Sequence, residues 1–192
     1  MGTRDRYGSS IIMSPSRIYK VEAIVLKRIN IGEADRILTV FSKEYGKLRV
    51  IAKGIRRITS RRAPHLEVFS RVTIMLHRAK FLDIVTEADL LEGYQTIRKD
   101  LVLINAGYYA CELIDVLLPE GQEHRDVFEK FKNHLRELES TSVYHQSEAF
   151  ALSLLHNLGF LPPSRVLSST QIQPYIERIA ERRFRSYHFL KG

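Results

Sequence analysis

The chain has 192 residues, with 30 Lys and Arg against 22 Asp and Glu, a formal charge of +8 and a pI near 9.7. Its 44% hydrophobic and 27% charged residues suit a folded globular chain and exclude wholesale disorder. No apolar run approaches the ~20 residues that span a bilayer, and a single cysteine, Cys111, excludes an internal disulfide or a cysteine-rich zinc site and points to a reducing, cytoplasmic setting.

Residues 1–12 carry charge but no sustained apolar stretch, so they do not read as a secretory signal. They are expected to form a disordered or foreign leader, with Met13 a candidate start. Tyr19–Asn30 is rich in β-branched and apolar residues and predicts a strand, closed by a turn at Ile31-Gly32-Glu33-Ala34. Asp35–Ser42 predicts a second strand, and Lys43-Glu44-Tyr45-Gly46 a second turn. In Lys47–Lys53, Leu48, Val50 and Ala52 fall on one face and Lys47, Arg49, Ile51 and Lys53 on the other. Gly54–Pro64 is polar and basic and reads as a loop. Leu66–Leu76 and Phe81–Val85 predict the fourth and fifth strands. Five short strands in under ninety residues suggest a small barrel or sandwich.

From about Leu101 the apolar spacing becomes helical. Leu113, Val116 and Leu117 precede a stop at Pro119 and Gly121. Phe128, Phe131, Leu135 and Leu138 make a second stripe. Ser142 is a candidate cap for a helix carrying Phe150, Leu154, Leu155 and Leu158, ended by Gly159 with Pro162 and Pro163 beyond. Ile172, Tyr175, Ile176 and Ile179 begin a last helix. These stripes read as bundle core. The fold class is therefore α+β, with a strand-rich domain over 13–98 and an all-α helical domain over 99–192.

The charge divides with the domains. Residues 13–98 hold 17 Lys and Arg against 9 Asp and Glu, a net +8; residues 99–192 hold 11 against 12. Within the first half Lys43, Lys47, Arg49, Lys53, Arg56, Arg57, Arg61 and Arg62 fall inside twenty residues, opposed only by Glu44. A cationic strand face followed by an Arg-rich loop can follow a phosphate backbone, because each neutralised phosphate releases condensed counterions and Arg binds phosphate oxygens bidentately. About 5 to 8 neutralised phosphates would give a slope of about −4 to −7 in log K against log salt. Tyr45 and Phe81 are the candidates for stacking on bases, while Tyr19, Phe41 and Phe69 read as core. With so few aromatics, backbone contacts should dominate and sequence specificity should be low.

Catalytic and metal sites find little support. Gly46-Lys47 lacks the glycine spacing of a phosphate loop. No two of the seven histidines stand at i, i+4, so no catalytic residue, metal ligand or cofactor is assigned. Cys111 reads as a buried small hydrophobe, and Glu33 and Asp35 as caps of their turn or partners of Arg36.

Several short motifs then resemble one family. They are Gly32-Glu33-Ala34-Asp35-Arg36, Tyr45-Gly46-Lys47, Ala52-Lys53-Gly54-Ile55-Arg56-Arg57 with Ser60-Arg61, Tyr94…Arg98-Lys99-Asp100-Leu101, Tyr109…Glu112-Leu113, and Leu158-Gly159-Phe160-Leu161-Pro162. In order and spacing, from about Ile18 to Phe160 and more loosely beyond, they resemble the bacterial recombination mediator family RecO. The resemblance implies an N-terminal five-stranded OB-fold β-barrel followed by a C-terminal helical domain. It implies binding of single- and double-stranded DNA, annealing of complementary strands, cooperation with RecR in loading RecA onto DNA coated with single-stranded-DNA-binding protein (SSB), and binding of the SSB C-terminal tail. Lys53, Arg56, Arg57 and Arg61 match the family's basic positions. Arg178, Arg182 and Arg185, expected on the last helix, are candidates for the acidic and apolar SSB tail. Many family members carry a four-cysteine zinc module after the Leu-Gly-Phe element; Ser164–Gln173 has neither Cys nor His there, so the module is expected to be deleted. The expected protein is a non-enzymatic, cofactor-free DNA mediator in the cytoplasm, associated with the nucleoid and not with a membrane. The rival reading is an OB-type RNA-binding accessory protein of the ribosome or translation.

Overall fold

The computed structural model describes residues 17–57, 60, 62–138 and 143–190. Strands β1 (Ile18–Ile31), β2 (Asp35–Ser42), β3 (Gly46–Ala52), β4 (Arg71–His77) and β5 (Asp83–Glu92) close a barrel in the order β1-β2-β3-β5-β4. All pairings are antiparallel except β3 with β5, where Val50 meets Asp83 and Ile51 meets Ile84. This is a five-stranded OB-type barrel. Val21, Ala23, Val25, Leu38, Val40, Val50, Ala52, Val72, Ile74, Leu76, Val85 and Ala88 alternate inward and fill it.

Two strands differ from the sequence expectation. β4 starts at Arg71, not Leu66. Leu66, Val68 and Phe69 are buried within a turn, and an apolar turn beneath a barrel has the composition of a strand without its pairing. β5 continues to Glu92 because it pairs with β4 as far as Arg71; with only Val85 and Ala88 buried, its outward Glu87, Asp89, Leu90 and Leu91 conceal the strand in the sequence.

A 3-10 turn, Ile97–Lys99, leads into α1 (Leu101–Leu117), α2 (Arg125–Glu137), α3 (Val143–Asn157), α4 (Ser169–Ala180) and α5 (Tyr187–Leu190). Asp100 caps α1 by accepting from the N–H groups of Val102 and Leu103. Ser168 and Gln171 form a capping box on α4. Ser142, the expected cap of α3, lies outside the described residues. The expected last helix from Ile172 onward is broken: Glu181 adopts a left-handed backbone, and Arg182 and Arg185 lie in the segment between α4 and α5.

The helices do not form a separate body. Ile24, Leu26, Phe41, Val68 and Phe69, on the outside of the barrel, join one continuous core with Tyr94, Tyr109, Phe128, Phe131 and Phe150. Phe41 packs on Phe128 and Phe131 at 5.7 and 6.4 Å between ring centroids. The helical half therefore covers one side of the barrel and leaves the edge bearing Arg49 and Lys53 exposed.

Candidate nucleic-acid interface

The turns after β1 and β3 are built as one unit. Asp35 Oδ1 accepts the Gly54 N–H at 2.7 Å, Arg56 donates its backbone N–H to the Ala34 carbonyl at 2.9 Å, and Arg56 Nη1 donates to the Gly32 carbonyl at 3.0 Å. Ile55 is buried in the barrel and anchors the turn from within. Beside it, Ile37 on β2 pairs with Ile51 on β3, both half-buried on the outer face, and the next outward position toward the β3 start is Arg49. The result is a strip of exposed cations, Arg49, Lys53, Arg56 and Arg57, on a braced strand edge and turn. Arg36, just below, is paired with Glu67 at 3.3 Å and accepted by Asn30 Oδ1 at 2.9 Å, so it joins neither Glu33 nor Asp35.

The other expected cations are placed differently. Lys47 is only 7% exposed; its ammonium donates to the Asp115 carbonyl and lies 3.5 Å from the Asp115 carboxylate on α1. The alternation that put Lys47 on the face of Arg49 is correct, but the helical domain covers that end of the face, so Lys47 bonds within the protein. Arg62 spends its guanidinium on the carbonyls of Val85 and Lys53, at 2.5 and 2.9 Å, and ties the loop to β5. Lys43 forms a 2.8 Å ion pair with Glu129 on α2, whose hydrogen bond raises the ammonium pKa. Arg61 lies outside the described residues. Tyr45 is partly exposed and meets Tyr19 edge-on at 5.1 Å. Of the eight cations in the basic cluster, four of those described remain open to a polyanion.

A second basic region lies on the far side of α1. A groove of about 1070 Å³ runs between Leu26, Lys27 and Arg28 of β1, Leu101, Tyr108 and Cys111 of α1, and Arg182, Arg183 and Arg185 beyond α4. Its lining is mostly apolar, and its rims carry both signs: Arg28 pairs with Glu67, Arg182 with Glu112, and Asp115 also lines it. Glu112 organises the rim: it accepts from Arg182 Nη2 at 2.7 Å, from the Ser186 hydroxyl at 2.5 Å and from the Ser186 N–H at 3.0 Å. Burial pushes the Glu112 carboxyl up, but these hydrogen bonds outweigh it and hold its pKa below the ordinary value. Arg178 is apart from this groove, with its guanidinium over the Tyr175 ring at 4.9 Å. Arg182 and Arg185 are thus brought together and Arg178 is not.

Sequence reasoning missed that three of the motifs act as joints, two between barrel and helices and one within the helical half. Gly46 and Lys47 dock the 120–122 segment, where Gly121 donates its N–H to the Lys47 carbonyl at 2.9 Å. Arg98 reaches back to the Val68 carbonyl at 2.6 Å and the Gly93 carbonyl at 3.0 Å. Glu112 holds the chain after α4. Cys111 is buried among apolar groups, which pushes its thiol pKa up and leaves it inert. Among the described residues no cluster of three His, Cys, Asp or Glu could hold a metal ion, and no helix is long and apolar enough to cross a membrane.

Residues 13–94 match the family described as "Recombination protein O N terminal", and residues 98–167 the family described as "Recombination protein O C terminal". The chain is similar to the DNA repair protein RecO of Roseiflexus sp. (strain RS-1), 38% identical over 147 residues, covering 76% of this chain and 52% of that protein. It is 33% identical over 146 residues to the DNA repair protein RecO of Pelotomaculum thermopropionicum, covering 76% of this chain and 57% of that one. With that of Dehalococcoides mccartyi it shares 30% over 154 residues, 80% of this chain and 61% of the other. The chain spans about half to three-fifths of the length of these curated relatives.

Proposed function

The chain belongs to the RecO family, and from that premise we propose that it is a DNA-binding mediator of DNA repair and recombination that anneals complementary strands. The observation that carries this reading is the strip of exposed cations formed by Arg49 on β3 and Lys53, Arg56 and Arg57 on the following turn, which Asp35 braces. Cations fixed along an edge neutralise successive phosphates without losing much side-chain freedom, and they contact no base edges, so binding is indifferent to sequence. Neutralising two strands at once lowers their repulsion and lets their bases pair. The activity is binding, with no bond made or broken.

The helical side serves protein partners in this reading. The groove flanked by Arg182, Arg183 and Arg185 offers an apolar lining with cations at its rim, Arg182 held by Glu112, which suits the acidic and apolar C-terminal tail of SSB. RecR is the further partner, with RecA loading the consequence, on DNA in the cytoplasm. Zinc has no place in this mechanism.

The test is annealing of complementary oligonucleotides, each coated with SSB, with and without the protein. Acceleration by the wild type, and its loss in the Arg56→Glu, Arg57→Glu variant, are expected. No acceleration would overturn the reading. Competition with RNA of matched sequence decides against the translation-factor alternative if DNA is preferred.

A further inference from the structure

The tip of the loop between β4 and β5 carries an aromatic side chain in an unusual setting. Phe81 is 88% exposed, more than any other large apolar side chain described. A single exposed apolar residue is ordinary by itself; this one has three features that point to a ligand. Lys80 Nζ sits 5.5 Å from the Phe81 ring centroid, and Arg78 stands at the base of the same loop with its guanidinium 4.5 Å over the Tyr19 ring. The loop is braced, since Asp83 accepts the Ala79 N–H at 3.0 Å and the Tyr19 hydroxyl at 2.5 Å, and Arg78 donates its N–H to the Arg17 carbonyl at 2.7 Å. And β5 begins at Asp83 directly beside Val50, the residue after Arg49, so the loop bearing Phe81 meets the cationic strip at its Arg49 end, on the side of the β2–β3 turn where Tyr19 contacts both Asp83 and Tyr45.

From this placement we infer that Phe81 is a stacking platform for an unpaired base, and that it makes the site prefer single-stranded over double-stranded DNA. The inference rests on the DNA-binding reading above and adds the form of DNA recognised. A flat ring on a braced tip loses little freedom when a base lies on it, and every base has a π-face, so the contact does not depend on sequence. Lys80 and Arg78 lie where the flanking phosphates of that nucleotide would pass, and Arg49, Lys53 and Arg56 continue the backbone's path. In a duplex the bases are stacked on each other and their faces are closed to Phe81. Two strands annealing on the strip would then exchange base–Phe81 stacking for base–base stacking as they pair.

The chain contains no tryptophan, so Phe81→Trp places a single fluorescent reporter at the tip of the full-length protein. Oligothymidylate is expected to quench it, and a duplex of equal length to leave it nearly unchanged. Phe81→Ala, whose side chain packs on nothing in the core, is expected to keep the wild-type melting temperature. It should lose about 5- to 100-fold in affinity for oligothymidylate while binding duplex as the wild type does. Equal affinity of Phe81→Ala and wild type for the single strand, or an equal loss on both DNA forms, would overturn the inference and leave the cationic strip in place. Absence of DNA binding by the wild type would instead overturn the DNA-binding reading itself.

Discussion

Asp35 and Gly54, nineteen residues apart, are joined by a 2.7 Å hydrogen bond from the Gly54 N–H to the Asp35 carboxylate. That bond fuses the turn after β1 to the turn after β3, and the second of these carries Arg56 and Arg57. A charged acceptor on a backbone donor contributes more than a neutral one. The acidic residue in a basic surface thus serves to hold the cations in place.

Replacing Asp35 by Ala leaves the Gly54 N–H without its acceptor. It should cost about 1–3 kcal/mol in urea unfolding. DNA affinity should fall as well, because Arg56 and Arg57 lose their fixed geometry, although the variant is more positive by one charge. Asp35→Asn keeps an acceptor oxygen and should recover most of both. An Asp35→Ala variant that binds DNA more tightly would show that net charge, and not placement, governs the site.

Gly46 lies at φ +67°, and a Cβ there would meet the Gln122 carbonyl oxygen at 1.7 Å. Gly121 has a similar φ of +73° with nothing within 4 Å of its own missing Cβ. Gly121→Ala should therefore lose only the left-handed backbone preference, about 1–2 kcal/mol. Gly46→Ala should lose that and also push the 120–122 segment off the barrel, for a total of about 2–5 kcal/mol. Denaturant titrations of the two variants read the difference, which isolates the docking of the helical half on the barrel. Equal losses would show that the segment yields without cost.

The barrel and the bundle were legible in the sequence because alternation and helical spacing are local. The buried turn Leu66–Ser70 was not, since Leu66 fills the barrel core while Val68 and Phe69 are buried by the helices, both tertiary contacts. The same holds for the site. Lys47 and Arg49 are equivalent by strand register, and only the presence of Asp115, sixty-eight positions after Lys47, makes one a joint and the other an exposed cation. Arg182 and Arg185 could not be placed from helical spacing, because the break at Glu181 follows from a backbone turn and from Glu112 holding the chain beyond it. The Tyr-Gly-Lys motif was visible as a motif, but its role as a joint to the 120–122 segment is a fact of tertiary contact.

The salt dependence of binding should be shallower than the full cluster of eight cations suggests. Four exposed strip cations neutralising four phosphates give a slope of about −3.6 on duplex, and with Lys80 and Arg78 on the flanking phosphates six contacts give about −4 on single strands. Lys47→Gln should leave the slope unchanged and lower the melting temperature, since it removes the contact to Asp115 and no exposed charge. A titration series in chloride salt measures the first and thermal unfolding the second. A slope reduced by about one in Lys47→Gln would return that residue to the interface.

His134 gives the fold a pH dependence of its own. It is buried on α2, its ring stacks on Phe150 of α3 at 4.3 Å with an 8° tilt, and its Nε2 has no hydrogen-bond partner among the described residues. Burial lowers its pKa from 6.5 to about 4, so the imidazole is neutral in the fold. The unfolded chain takes up the proton near pH 6.5 and the folded chain only near 4. The stability from this residue is therefore fully present above pH 6.5 and is lost as pH falls from 6.5 to about 4, by at most about 1.4 kcal/mol per pH unit. His134→Phe keeps an aromatic ring against Phe150 and has no proton to gain. Its unfolding free energy should fall less steeply than that of the wild type across this window, with the two curves running parallel above pH 7. Parallel curves throughout would mean that the folded chain opens enough to hydrate His134 before it is protonated.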